Sequence, residues 1–269
     1  MSRFRRVAAC GVVMLALADQ ARASTFDCVM DPSLSVRLAS PIGGILEAVT
    51  VDRGSVVSNG DVVARLSSRL EQATLRVQEL RVANRTVIDG QAARLEYLER
   101  RLERAQALFE RGAGTKGALE DMEAEVTASR NLLRQAEMDH AIAAEELERA
   151  RTAISLLVLH SPIDGIIVEK ARSMGEYLHP ESHVATVIRI DPLHVETFLP
   201  VTLFGAISEG DIAIVTPAPP IMGDFPARVS VIDKLFDAGS GSFGVRLVLD
   251  NPGSELPAGH RCKVRFTLD

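Results

Sequence analysis

The chain has 269 residues, a formal net charge of −6, 4% aromatic residues and no tryptophan. No basic cluster with interleaved aromatics occurs, which argues against nucleic acid as a partner, and the aromatic content argues against a stacking platform for sugars or bases. The length fits one large domain or two to three small ones.

Residues 1–23 read as a secretory signal peptide. Arg3, Arg5 and Arg6 precede an apolar run from Val7 to Ala18, and Ala21 and Ala23 form an A-x-A cleavage site before Ser24. The run is too short to span a bilayer comfortably, and no later segment is longer. Cys10 closes a "VAAC" with the look of a lipobox, but most of the apolar run follows it, which favours simple cleavage. An exported, soluble mature chain is expected. Cys10 leaves with the signal, so Cys28 and Cys262 are expected to form a disulfide in an oxidising compartment, tying the first strand to the last. Two unrelated buried thiols are the alternative.

After a first strand over 24–39, the stretch from Ser40 to Leu66, "SPIGGILEAVTVDRGSVVSNGDVVARL", is echoed from Ser161 to Val187 by "SPIDGIIVEKARSMGEYLHPESHVATV". A shift of 121 positions superposes them without a gap, bringing Gly44 onto Gly165 and Gly54 onto Gly175. Each copy reads as short strands, and the repeated glycines suit turns requiring φ > 0. Neither half, 40–66 or 159–190, closes a core alone. One β-sandwich built from both is expected.

Between them, 67–158 read as a helical hairpin with its tip at 111–116. From Leu66 to Arg111 there is no proline, and apolar residues recur at Leu66, Leu70, Ala73, Val77 and Leu80, then at Leu95, Leu98, Leu102, Ala105 and Phe109. Steps of 3 and 4 mark a coiled-coil seam, with a stutter around Asn84 to Ile88 that locally unwinds it. Gly112 suits a helix C′ position, Gly114 belongs to the turn, and Thr115 suits an N-cap. The second helix carries a regular seam: Leu119, Met122, Val126, Ser129, Leu133, Ala136, His140, Ala143, Leu147, Ala150, Ile154 and Leu157. Antiparallel helices of forty-odd residues would reach roughly 65 Å at 1.5 Å per residue. His140 is expected near Val87 and Asn84, either as a polar register-setter that snorkels or bonds to Asn84, or as a pH-responsive element.

Residues 191–269 read as five or six antiparallel strands with a short helix at "VTLFGAI", fitting a small barrel with the 24–39 strand. "HPESH" places His179, Glu181 and His183 together, a metal half-site or a solvated loop, and the loop reading fits the surrounding pattern better. No Gly-x-Ser-x-Gly, phosphate loop or zincin pattern occurs, so an enzyme is not expected.

The pattern "SPIxGxI…V…G…V…GDxVARL", split by a long α-hairpin, resembles the lipoyl domain of periplasmic adaptor proteins. These are the membrane fusion proteins, of the HlyD and resistance-nodulation-division types, found in tripartite efflux and export systems. The resemblance implies an elongated α+β chain with a coiled-coil hairpin, a lipoyl-like sandwich and a small β-barrel. It also implies an inner-membrane transporter of RND or ABC type, a TolC-type outer-membrane channel and self-association into a ring in the periplasm. Arg104, Leu108 and Thr115 have the spacing of the family's channel-contacting tip, with threonine where the family has serine. Asn251-Pro252, Leu256 and Gly259 match its closing barrel strands. Lipoylated and biotinylated relatives present a lysine on the turn between the halves. Here that turn is replaced by the hairpin, Val49-Thr50-Val51-Asp52 offers no lysine, and Lys170 falls in a strand, so no covalent lipoyl or biotin is expected. With about 16 residues between the expected cleavage site and the sandwich, the membrane-proximal domain of some relatives is expected to be missing. A stand-alone periplasmic scaffold or chaperone remains the alternative function.

Overall fold

The computed structural model describes residues 24–266, so the signal-peptide reading and Cys10 lie outside the described residues. Val36–Ile188 form one compact unit, and the chain up to Ser35 and from Arg189 onward forms a second. Strands β1 (Ser24–Ala39) and β8 (His183–Pro200) each run through both.

The β part of the 36–188 unit contains β2 (Gly44–Val49), β3 (Val56–Val57), β4 (Val62–Leu66), β5 (Val158–His160), β6 (Gly165–Lys170) and β7 (Tyr177–Leu178). One sheet has the order β5-β4-β2-β7, while β3 pairs with β6 and β6 with the first half of β8. The sequence echo becomes a reciprocal exchange of short strands. β3 of the first half pairs with β6 of the second through Val56↔Ile166 and Val57↔Gly165. β7 of the second half pairs with β2 of the first through Ile45↔Tyr177 and Gly44↔Leu178, the same pairs shifted by the repeat. The turns repeat as well: the amide of Gly54 donates to the Ile167 carbonyl and that of Gly175 to the Leu46 carbonyl, both at 2.8 Å. Each half therefore completes the other's hydrogen bonding, and unpaired backbone groups in a lone half would be costly.

Two apolar clusters fill this sandwich. One gathers Leu38, Val51, Val57, Val63, Ile163, Ile167, Ala185 and Val187, and the other Leu46, Ala64, Leu66, Leu157, Leu159, Leu178 and Val184. The paired serines of the echo, Ser40 and Ser161, are buried. Ser40 Oγ accepts from the Ile42 amide, and Ser161 Oγ donates to the Ile163 carbonyl, closing the same local turn in each half.

Only half of the repeated glycines serve the purpose expected of them. Gly54 and Gly175 both take φ +88°, in the left-handed region. Gly44 and Gly165 have ordinary φ and open β2 and β6, so the expectation of φ > 0 fails there. Their requirement is space: an added Cβ at Gly165 would lie 2.2 Å from the Ile188 carbonyl oxygen, and at Gly44 2.9 Å from Leu66 Cδ2.

The second unit contains β9 (Ile212–Pro217), β10 (Phe225–Asp237), β11 (Ser242–Leu249) and β12 (His260–Phe266), with the ends of β1 and β8. Its strand order is β1-β12-β9-β10-β11-β8, and β1 also pairs with β8. Alternate residues point inward, as period-2 strands require: Cys262, Val264 and Phe266 on β12 and Phe243, Val245, Leu247 and Leu249 on β11 are all buried. Cys28 and Cys262 face each other across β1 and β12 and form a disulfide. Asn251, 2% exposed, organises the last connection. Its Nδ2 donates to the Ile190 and Leu256 carbonyls, and its Oδ1 accepts from the Leu256 amide, each at 2.9 Å. "VTLFGAI" forms only a single 3-10 turn over Val201–Leu203, because Phe204 is extended and Gly205 turns to φ +88°.

Candidate functional site

Three helices stand where one hairpin of two was expected: α1 (Arg69–Ala83), α2 (Thr86–Glu110) and α3 (Lys116–Ser155). The stutter near Asn84 is a break. Asn84 leaves the helix with ψ 102°, and its side-chain oxygen accepts from the Thr86 amide, starting α2. α3 packs along both α1 and α2, so the hairpin is α1 plus α2 against α3.

The seam of α3 is as the heptad pattern describes, with Val126, Ser129, Ala136 and Leu147 buried and its other members at least half-buried. On α2, Leu95 and Leu98 are buried against Val126. α1 departs from expectation. Leu66 ends β4 in the sandwich, and Leu70, Val77 and Leu80 are 75%, 50% and 72% exposed. The half-buried positions are instead Glu71, Ala73, Leu75, Gln78 and Val82, so Ala73 alone of the apolar seam expected on α1 is covered. A shift of one residue turns a helix face by about 100°, and the break at Asn84–Arg85 resets the phase between α1 and α2. The expectation of one helix with only a stutter fails, because the chain breaks at Asn84 into two helices.

His140 lies half-buried where α1 ends. Its Nε2 is 2.9 Å from the carbonyl oxygen of Val82, not bonded to Asn84 as expected. In an unbroken helix that carbonyl would receive the Thr86 amide, which Asn84 has taken. With Nε2 protonated, His140 donates to an acceptor the break left open.

At the tip, sequence and geometry can be compared residue by residue. Gly112 takes φ +72° as the C′ residue of α2. Its amide donates to the Phe109 carbonyl and that of Ala113 to the Leu108 carbonyl, both at 2.9 Å, the paired bonds of a Schellman stop. Gly114 has an ordinary φ; its role is close approach, since an added Cβ would sit 3.1 Å from the Phe109 nitrogen. Thr115 is the N-cap of α3, its Oγ1 accepting from the Ala118 amide at 3.2 Å. Arg104 and Leu108, one turn apart on α2, are exposed, and Leu108 is 52% so. Phe109, expected in the seam, is 40% exposed beside them. It was missed because its heptad position promised burial; the turn that ends α2 one residue later removes the facing helix.

The other candidate positions do not assemble into a site. Lys170 ends β6, and its Nζ reaches Asp52 Oδ2 at 3.3 Å. The Asp52 carboxyl is held below the usual carboxylate range, first by the Arg53 backbone amide and then by Lys170. His179 packs edge-on against Tyr177, while His183 faces Glu169 at 3.4 Å, so the "HPESH" side chains diverge. Among the described residues no group of three or more His, Cys, Asp or Glu could hold a metal ion, and no helix is long and apolar enough to cross a membrane.

Comparison with known proteins gives concordant findings. Residues 35–188, more than half of the chain, match the CzcB-like, barrel-sandwich hybrid domain family. The cobalt-zinc-cadmium resistance protein CzcB of Cupriavidus metallidurans is 23% identical over 218 residues, covering 78% of this chain but only 38% of that protein. The crystal structure of MacA from Actinobacillus actinomycetemcomitans superposes with a TM-score of 0.82 at 14% identity, covering 92% of this chain and 78% of that one. A MacA-MexA chimera carrying the Pseudomonas aeruginosa MexA α-hairpin gives 0.62 at 14% identity, over 93% of this chain and 82% of the other. At these identities the structural likeness concerns the fold.

Proposed function

Since the chain belongs to the CzcB-like barrel-sandwich hybrid family, we propose that it is the periplasmic adaptor subunit of a tripartite efflux or secretion pump. It acts by holding partners together, without chemistry of its own. The hairpin is an antiparallel coiled coil whose tip docks on a TolC-type outer-membrane channel. The strands outside the 36–188 unit form a small β-barrel that engages an inner-membrane transporter of RND or ABC type. Several copies associate in a ring, so that small tip contacts act together. The name of the CzcB relative makes divalent transition-metal export the first cargo class to test.

The observation that carries this reading is the tip. A Schellman stop and a threonine cap hold Leu108 and Phe109 out in solvent on a rigid turn, with Arg104 one turn behind. Arg104 makes no ion pair within the described residues, which leaves its guanidinium to donate to carbonyls or carboxylates of a partner helix. Leu108 supplies the apolar anchor. Thr115 uses its oxygen as a cap acceptor and keeps its O–H to donate.

The test replaces the chromosomal gene with Arg104→Asp or Leu108→Ser and measures export alongside helical circular dichroism. Loss of export with unchanged helicity is expected. Full export by both variants refutes the tip assignment. Photo-crosslinks from position 115 should capture an outer-membrane channel, and capture of unfolded client chains alone would favour the scaffold reading instead.

A further inference from the structure

One end of the second unit is crowded with aromatic rings. Six of the chain's nine phenylalanines, Phe26, Phe198, Phe204, Phe236, Phe243 and Phe266, gather there. The strand register brings them together: Ser24 and Ala213 both pair with Phe266, Asp237 with Ser242, and Ser242 with Pro200. Phe243 is buried, and the rings of Phe204 and Phe236 lie against it with centroids at 5.4 and 6.1 Å. Those two rings are still exposed on their far sides, and Phe198 is 71% exposed. A bulge in β10 extends the apolar rim. Between the pairs Ile232↔Val245 and Phe236↔Phe243, Asp233, Lys234 and Leu235 oppose the single Gly244. Leu235 is thereby left 84% exposed, while Phe198 pairs with Gly244 from the other side. A contiguous exposed apolar patch of this kind marks an interaction surface.

The path of the chain indicates what covers it. β1 and β8 cross to the other unit near Ser35 and Arg189, whereas Ser24 opens β1 at the rim itself. Residues 1–23 join the fold at that point. Their apolar run, 7–18, is expected to enter the bilayer during export, and five residues, 19–23, separate it from Ser24. Five residues span at most about 20 Å, so until cleavage the rim is tethered within that distance of lipid. Charge narrows the kind of surface it can meet. The segments that build the rim, 201–212 and 231–242, hold Glu209, Asp211, Asp233 and Asp237 against Lys234 alone. An acidic rim gains nothing from anionic lipid. Attachment therefore rests on phenyl and leucine side chains entering the headgroup region.

We propose that this rim rests on the surface of a phospholipid bilayer, holding the second unit against the membrane across which the chain was exported. The contact goes beyond the adaptor reading, and its test needs neither channel nor transporter. The purified exported chain, starting at Ser24, is expected to float with vesicles of phosphatidylcholine, and no better when phosphatidylglycerol is mixed in. Phe198→Ser with Leu235→Ser weakens binding at least about tenfold while the thermal transitions stay unchanged. Leu80→Ser, on the exposed face of α1, leaves binding unaltered. Because the chain has no tryptophan, Leu235→Trp adds a single reporter, whose emission shifts to the blue when vesicles are added. A chain that floats with neither vesicle, or only with the anionic mixture, overturns the proposal. So does flotation that survives the serine pair in folded protein or is lost in Leu80→Ser, and so does a tryptophan emission that vesicles leave unchanged.

Discussion

At the residue scale, the two halves of the sandwich provide a controlled comparison. Gly44 and Gly165 occupy equivalent places in the echo, each opening a strand, and the sequence gives no reason to rank them. The structure does. A methyl group at Gly165 meets the backbone carbonyl of Ile188 at 2.2 Å, an atom fixed in the β6–β8 ladder. At Gly44 the obstacle is Leu66 Cδ2 at 2.9 Å, the end of a side chain with other rotamers. Gly165→Ala is therefore expected to cost more than about 3 kcal/mol and Gly44→Ala about 1 kcal/mol, by chemical denaturation. Equal costs would show that the two sites yield alike. The repeat was legible because a constant shift of 121 positions needs only residue identities. The distinct use of its glycines was not, because the neighbour that decides it, Ile188 or Leu66, comes from another strand. Asn251 illustrates the same limit: its three hydrogen bonds reach Ile190 and Leu256, and no local pattern announces such a hub.

At the scale of elements, the hairpin was readable where one helix ran unbroken and misread where it did not. α3 keeps a single phase over 40 residues, so its heptad positions and its buried face coincide. α1 has an equally good heptad pattern that faces outward, since the Asn84 break lets α1 pair with α3 through Leu75 and Val82 instead. Periodicity identifies an apolar stripe and leaves its partner open. End signals fared better because they are local: Gly112 and Thr115 carry their meaning in their own backbone and side chain. The cap sets the strength of the tip. Thr115→Val keeps the shape but loses the acceptor for the Ala118 amide, a change worth about 1 kcal/mol of helix-end stability. Amide exchange in the first turn of α3 should speed up roughly fivefold in Thr115→Val and stay near wild type in Thr115→Ser. Unchanged protection in the valine variant would mean that the turn is held by the Gly112 stop alone.

At the scale of the whole chain, the 36–188 unit is an insertion into the strands around it, and the disulfide is what closes the circuit. Cys28 and Cys262 are 234 positions apart in sequence, and the 36–188 unit contains no cysteine. With the inserted unit still folded, the second unit's strands remain joined at Cys28–Cys262 even when they melt, which limits the freedom of the melted chain. With 36–188 folded, the loop that is freed is the roughly 80 residues of 28–35 and 189–262, and in the chain-entropy account closing it stabilises the native state by about 4.5 kcal/mol. The effect belongs to one unit, because only its strands β1 and β12 meet at the bond. Heating should accordingly resolve two transitions. Reductant, or Cys28→Ser with Cys262→Ser, should lower the transition of the 24–35 and 189–266 strands by more than about 10 °C. The transition of the hairpin-bearing unit should stay in place, followed separately by helical circular dichroism. A common downward shift of both would show that the two units melt as one, and no shift would show that the strands retain their order without the bond.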